Sequence, residues 1–517
     1  MEGGNQFENL FLELIANNIL AWLGLKDLKH LRAASKRLCV RLRPYIIGKG
    51  YVYRPLCLAS REGYDTCRRG FGDNISISIC YIVPSPTMLR SLVKTGADIE
   101  LKTRGTCCSP YELTRCLRAC EGSLVGLNIN LEPPNSCDLD HRFKVALGRL
   151  ARLESLNLSG HRISSTDFLK GLRLKKLDLE GCGLTDTTAL HDLPSSLTAL
   201  NVSKNYLHPD SIIRLAGLTQ LTELNVSDCG VRDDIFGRLR NLKTFNAAGN
   251  DIDEVRITCD LERLDLSSNK RHLILRGKLS ALTTLIMGCS NGAIGLMKML
   301  EPSMWALTSA EKLEVLEISN MHLDELQSLE ILISGNRGLN RLALKSVFVC
   351  NKTNADMERI LASLGRITWL EFGSTNLGFS FVKALAAYGQ PMVALTTLII
   401  SVQSKRIDDD IAAFTRALQL LPALKALNMQ GALQRANSVM TVLKCAPEHL
   451  TDLNLANNPF YPLDKGQVAA RSALELCMSE LHRFEHLTSV AISYPSGTKL
   501  SLVGDGSVPP TIVENAV

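Results

Sequence analysis

The sequence predicts an α/β solenoid with a small helical module at its N-terminal end. Three observations carry this. A nine-residue unit, L-x-x-L-x-L-x-x-N, stands complete at Leu261–Asn269 and returns many times along the chain. The spacing between copies is short in the first half and long in the second. Ahead of the copies, apolar residues follow a helical period rather than a strand period.

The unit recurs as L-E-S-L-N-L from Leu153, L-K-K-L-D-L from Leu174, L-T-A-L-N-V from Leu197, L-T-E-L-N-V from Leu221, L-K-T-F-N-A from Leu242 and L-T-D-L-N-L from Leu450. A weaker copy opens at Leu124, and about fifteen repeats fill residues 121–494. From Leu153 to Leu282 the spacings are 21, 23, 24, 21, 19 and 21 residues; from Leu282 to Leu487 they are 31, 26, 28, 28, 29, 26 and 37. In each copy the x-x-L-x-L core predicts a short strand, leucines inward and intervening residues outward, because side chains alternate across a strand. Short repeats leave room for an extended or 3₁₀ return. Long ones leave room for a helix, as in DDDIAAFTRALQL from Asp408 to Leu420, whose aspartates sit where a helix dipole favours them. The closing position holds Cys182, Asn205, Cys229, Asn250 and Asn269. An Asn or Cys there can donate to carbonyls that an inward turn leaves unpaired. That series breaks at Met321, Val347, Thr375, Gln403 and Ala432 and returns at Asn458.

This repeat resembles that of leucine-rich repeat proteins and covers about two thirds of the chain. The resemblance implies a horseshoe whose concave face carries the outward strand residues. The central column there reads Asn157, Asp178, Asn201, Asn225, Asn246 and Asp265, then Ile286, Glu317, Ala343, Glu371, Ile399, Asn428 and Asn454. The first half is uniform. The second departs from it with Glu317, Arg341, Lys345, Trp369, Glu371 and Ile399. Trp beside Arg is the composition of a protein-binding hot spot, so these six are the candidate substrate-binding residues. A neighbouring loop lying over Trp369 is the alternative.

Residues 8–48 read as three short helices. Leu10, Leu14, Ile15, Ile19, Leu20 and Leu23 share one helical face, Gly24 breaks the pattern, Asp27 starts a second helix and Pro44 stops a basic third. The stretch is similar to an F-box. Ile19 and Leu23 match I-x-x-x-L, Asp27-Leu28 match the D-L pair, Leu31 matches the next leucine, and Ala34-Ser35-Lys36-Arg37 match V-S-K-R. Phe11-Leu12 stand nearest to the family's opening Leu-Pro, and Leu38 stands where the family has Trp. The resemblance implies docking to a Skp-family adaptor, and through it a cullin, with Leu12, Ile19, Leu20, Leu23, Asp27, Leu28 and Leu31 as the contacts. Exposed leucines on a helical trio suit a helix-in-groove interface. The same leucines also suit the cap that a solenoid end requires.

Residues 49–120 are expected to form a linker region. Arg54–Gly63 and Leu92–Ile99 are similar to the opening and ending of an ankyrin unit, and alternation at Ile75, Ile77, Ile79 and Tyr81 predicts an inserted strand. Residues 495–517, with YPSG and GDGSVPP and no periodicity, are expected to be a flexible tail.

Composition sets the remaining expectations. The 517 residues are 45% hydrophobic and 21% charged, as in a folded soluble protein, and the net charge of +6 is too dispersed to argue for nucleic acid. No run of ~18 apolar residues argues for a membrane span. The N-terminus lacks the charge pattern of a secretory signal, so the sixteen cysteines are expected as reduced thiols in the cytoplasm or nucleus. They lack C-x-x-C pairing, so Cys107, Cys108, Cys116 and Cys120 read as small buried residues rather than metal ligands. No phosphate loop, H-E-x-x-H or dinucleotide fingerprint is present, and no cysteine has an aspartate two residues on, as the nucleophile of bacterial leucine-rich effector ligases does. No cofactor, metal or catalysis of its own is expected. Two readings follow: a substrate-recognition adaptor of an SCF-type ubiquitin ligase that binds a protein substrate, or a leucine-rich scaffold or inhibitor with no ubiquitin link.

Overall fold

The computed structural model describes residues 76–80, 89, 90, 93, 98–102, 110–130, 138–185, 190–232, 236–269, 274–277, 279–289, 297, 298, 307, 309–351, 353–401, 407–458, 479–481, 483, 484, 486–493, 499–503 and 511–515. The helical module over 8–48 and its seven candidate contacts lie outside them. So do Cys107, Cys108, Trp305 and Gln403. The described residues fall into two compact units, one ending at Val231 with Arg238–Leu242 added, the other holding Arg232–Gly237 and the chain from Lys243.

The first unit is a parallel ladder of β1 (Ser76–Cys80), β2 (Asp98–Lys102), β3 (Leu124–Asn128), β4 (Ser155–Asn157), β5 (Lys176–Asp178), β6 (Ala199–Asn201) and β7 (Glu223–Asn225), each paired with the next. The leucines of its repeats stack in register, Leu127 on Leu156, Leu177, Leu200 and Leu224, and none of these five is more than 3% exposed. The ladder therefore starts before the boundary expected at residue 121. Asp98–Lys102, whose first residues end the ankyrin-like stretch, is a rung of the same sheet, and β1 lies inside the expected inserted strand. Three helices accompany these rungs: α1 (Pro110–Ala119), α2 (His141–Leu147) and α3 (Pro209–Leu215). The last corrects the expectation of a purely extended or 3₁₀ return, since the 24-residue repeat from Leu197 is long enough for two helical turns. Pro209 at its start has the fixed φ that a first turn accepts.

The second unit continues the parallel pattern through β8 (Thr244–Asn246), β10 (Arg263–Asn269), β12 (Thr284–Cys289), β14 (Val315–Glu325), β15 (Arg341–Asn351), β16 (Trp369–Gly373), β17 (Thr397–Ser401), β18 (Ala426–Asn428), β19 (Asp452–Asn454) and β20 (Ser489–Ser493). Two short strands, β9 (Glu254–Ile257) and β11 (Ile274–Gly277), pair separately, and β13 (Met297–Lys298) joins the far half of β14. The long repeats return through α4 (Gln327–Gly335), α5 (Asn354–Ser363), α6 (Leu377–Tyr388), α7 (Ile411–Gln419) and α8 (Ala436–Cys445). Gly378 lets α6 approach the sheet: a Cβ there would stand 3.2 Å from the Phe372 side chain and 3.3 Å from that of Ile400.

Two expectations are corrected here. The chain past residue 494 is not a plain tail. β21 (Lys499–Val503) pairs antiparallel with β20, and β22 (Thr511–Asn515) with β21. And the three aspartates do not all serve α7. Asp408–Asp410 form a 3₁₀ turn, Asp410 alone caps the helix by accepting from the Ala413 N–H, and Asp408 is buried, accepting from the Gln434 N–H at 2.6 Å and the Arg435 N–H at 3.3 Å in the following repeat.

Each strand is followed by a tight inward turn. The residue before each closing position has positive φ: Gly181, Lys204, Asp228, Gly249, Ser268 and Asn457, and also Asn320, Ser346, Ser374 and Gly431, where the closing Asn or Cys is missing. The closing side chains fill the turn. Asn205 donates to the carbonyls of Leu179 and Val202, both at 2.8 Å, and accepts from the Leu184 N–H at 3.0 Å. Asn269 and Asn458 repeat this on Ala247 and Met429, and the Cys182 and Cys229 thiols donate to Leu158 and Val202. Asn205→Ala orphans groups that are fully buried, which costs about 2 kcal/mol. Asn201→Ala, on the half-buried strand face, frees an N–H that water can reach, so it is expected to cost less than half as much. Urea denaturation midpoints of the two variants check this order. Gly277 has φ +113°, and a Cβ there would meet the Ile257 carbonyl oxygen at 2.2 Å, so Gly277→Ala is expected to lower the same midpoint strongly.

Candidate functional site

The column of Asn and Asp along the strand face has a local role that its sequence does not announce. Each side chain accepts the backbone N–H two residues on: Asn157 from Ser159 at 2.9 Å, Asp178 from Glu180 at 3.0 Å, Asn225 from Ser227 at 3.0 Å, Asn428 from Gln430 at 3.0 Å and Asn454 from Ala456 at 3.0 Å. This takes an N–H that would otherwise extend the ladder, as in an Asx turn. The strands ending on these residues, β4–β8, β18 and β19, are three residues long. Where Ile286, Glu317, Ala343, Glu371 or Ile399 takes the place, the strands run to 6, 11, 11, 5 and 5 residues. Asp265 is the exception, capping Ser267 within a seven-residue strand whose pairing is irregular at that point.

The six candidate substrate-binding residues lie on four adjacent strands of the second unit, β14 to β17. Register sets Val315, Arg341, Trp369 and Thr397 side by side, and Glu317, Ala343, Glu371 and Ile399 in the next row. The Arg341 guanidinium lies 3.9 Å above the Trp369 ring centroid. Trp369 is thus half-buried, covered in part by Arg341 rather than by a loop, and Arg341 itself is exposed. Arg stacked on indole contributes about 1 kcal/mol at a half-exposed site. Lys345 reaches Glu317 at 2.8 Å and Glu371 at 3.7 Å. Burial pushes the Glu371 carboxyl above the usual carboxylate range, with Lys345 opposing, Glu317 reinforcing and Arg341 opposing. Ala343 is buried beneath this cluster and Ile399 is half-buried beside it.

Three features were not legible in advance. His161 occupies the closing position of the Leu153 repeat, preceded by Gly160 at φ +79°, buried, its Nδ1 3.1 Å from the Leu158 carbonyl. Burial pushes its pKa below the ordinary value. A threonine follows the first apolar residue of many repeats, and its hydroxyl donates to the carbonyl at the start of the preceding strand: Thr198 to Lys175, Thr222 to Thr198, Thr283 to Glu262, Thr368 to Asn340, Thr396 to Thr368, Thr451 to Lys425 and Thr488 to Thr451. The L-T pair was the available signal. Where the series lacks Thr, ion pairs such as Lys175 with Glu154 at 2.9 Å and Lys243 with Glu262 at 2.7 Å bridge successive repeats. Asn376 also bridges repeats, exchanging hydrogen bonds with the Val349 backbone at 3.1 and 2.9 Å.

Among the described residues no three His, Cys, Asp or Glu side chains converge as metal ligands would. Cys116, Cys120, Cys182, Cys229 and Cys289 are buried, and burial pushes the thiols of Cys120, Cys182 and Cys229 up to about 12. No described helix is long and apolar enough to cross a membrane.

Stacked strands, inward leucines and the Asn/Cys turn make this fold a leucine-rich repeat solenoid. No family model matches the chain. A stretch of 130 residues is 36% identical to mouse podocan, covering 23% of this chain and 21% of podocan, so the chain spans about a fifth of that relative. Among solved structures it is similar to an internalin of Listeria monocytogenes, at 17% identity and TM-score 0.36 over 66% of this chain and 81% of that one. It is similar also to a leucine-rich repeat protein of Leptospira interrogans, at 16% identity and TM-score 0.43 over 72% of this chain and 92% of that one.

Lys345→Met should act through charge. Folding raises the Glu371 pKa, so ionising it costs stability above its folded value and nothing below its ordinary one. Removing Lys345 enlarges that cost. The variant is expected to lose about 1 kcal/mol near neutral pH, and its difference from wild type should vanish in acid below the carboxylate range. Denaturation curves across pH read this; a difference independent of pH would contradict it. Cys182 and Cys229 should resist alkylation in the native protein and react on unfolding, as read by mass spectrometry.

Proposed function

We propose that this chain is a substrate-recognition adaptor of a cullin-RING, SCF-type ubiquitin ligase. The F-box-like pattern at Ile19, Leu23, Asp27, Leu28 and Leu31, ahead of leucine-rich repeats, is the observation that carries the reading. In it, the N-terminal leucines dock a Skp-family adaptor, the adaptor joins a cullin, and the strand face around Arg341 and Trp369 holds a protein substrate. Catalysis then belongs to the partners. Holding a target near a loaded enzyme raises its effective concentration, which is all the recognition subunit has to supply. Reduced cysteines suit a place in the cytoplasm or nucleus.

The repeat fold itself supports a protein-interaction scaffold, and that is the second reading: a leucine-rich repeat scaffold or inhibitor with no ubiquitin link. Affinity purification of the full chain separates the two. The first expects a Skp-family adaptor and a cullin with the wild type, and loss of both on Leu23→Asp with Leu28→Asp. A wild-type purification without adaptor favours the scaffold. Arg341→Ala with Trp369→Ala is expected to abolish substrate capture while adaptor binding stays and the melting temperature falls only slightly. Unchanged capture by that double variant would displace the substrate site from this face.

A further inference from the structure

The strand face of the second unit carries one cation with an open hydrogen-bonding edge beside a neutralised cluster. Lys345 is shared between Glu317 and Glu371. Among the described residues Arg341 has only the Trp369 ring, at 3.9 Å, and no ion pair or hydrogen bond. Stacking on the indole restricts the guanidinium plane and leaves its N–H edge open to solvent. A planar fork held in this way is suited to a bidentate anion, and little side-chain entropy is left to lose on binding. Two strands over, Ile399 is half-buried at the surface of the next row. Neighbouring strands stand ~4.8 Å apart, so the two positions are separated by ~10 Å, about three residues of extended chain.

We infer that the face formed by β14 to β17 takes an extended acidic segment of a protein partner. One carboxylate of that segment seats on the Arg341 fork, and an apolar side chain within four residues of it lies over Ile399. The ligand chemistry is a carboxylate rather than a phosphoryl group for a reason of charge. A phosphoryl group brings ~−2 against a single open +1, beside Glu317 and Glu371, which Lys345 already divides itself between. A carboxylate brings −1 and matches. The inference rests on the strand face being the capture surface of the proposed function.

The test is selection of displayed random peptides on the immobilised full chain. On the wild type, retained peptides should be enriched in Asp or Glu with an apolar residue within four positions. On Arg341→Gln the acidic enrichment should disappear, and individual selected peptides should bind ~10-fold more weakly. Arg341→Lys, which keeps the charge without the fork, should fall between. Thermal melts of the variants confirm folding. Retained peptides that depend on Trp369 but show no acidic preference overturn the carboxylate and leave the strand-face reading standing. Tighter binding of a phosphoserine peptide than of its Glu counterpart also overturns the carboxylate. Peptides indifferent to both Arg341→Gln and Trp369→Ala overturn the strand-face reading itself.

Discussion

The constraint behind the rest of the structure is the inward turn that follows every strand. A solenoid rung must leave the sheet within a few residues, and doing so points backbone carbonyls into an apolar core where water cannot satisfy them. The chain meets this in two parts. One residue takes a left-handed conformation, whether Gly181, Lys204, Ser268 or Asn457. The next residue then puts a donor among the stranded carbonyls, as Asn205 does for its own repeat and for the one before. Because the donor spans two repeats, the same hydrogen bonds that close a turn also tie one rung to its neighbour.

That coupling explains where the pattern can change. The left-handed residue survives at Asn320, Ser346, Ser374 and Gly431, although Met321, Val347, Thr375 and Ala432 cannot do what Asn205 does. There the inter-repeat bonds are carried elsewhere. Cys289 and Asn320 exchange two hydrogen bonds across one pair of rungs, Asn376 bridges to Val349, and buried Asp408 accepts from Gln434 and Arg435. The strands also lengthen, since the Asn or Asp that stops them after three residues is gone. More ladder and more helix replace fewer specific side-chain bonds.

The same substitutions create the candidate site. A strand face lined with Asn and Asp spends its side chains on its own backbone and offers little to a partner. Once Glu317, Glu371 and Ile399 stand in that column, the backbone N–H groups go to neighbouring strands and the side chains are released to the surface. The longer the strand, the more side chains the face displays. Lys345 and the two glutamates then satisfy one another, while Arg341 is stacked on Trp369 with its edge outward.

The repeat, its strands, its inward leucines and the Asn/Cys turn were legible because each follows from spacing within nine residues. The register of Arg341 beside Trp369 was legible too, since identical repeat positions must fall side by side. Other features depend on contacts between repeats. The rungs at β1 and β2 lack the leucine spacing and were read as ankyrin-like; the hairpin of β21 and β22 pairs by backbone alone, in segments without periodicity. Asp408 looked like a helix-dipole aspartate until the following repeat placed two N–H groups against it, and His161 did not look like a turn residue because it is neither Asn nor Cys. The sequence by itself determined the unit and its periodicity, which are local. Which side chains each unit spends on its neighbour, and which it leaves for a partner, was decided only by the tertiary structure, because hydrogen bonds and burial between repeats exist only once they stack.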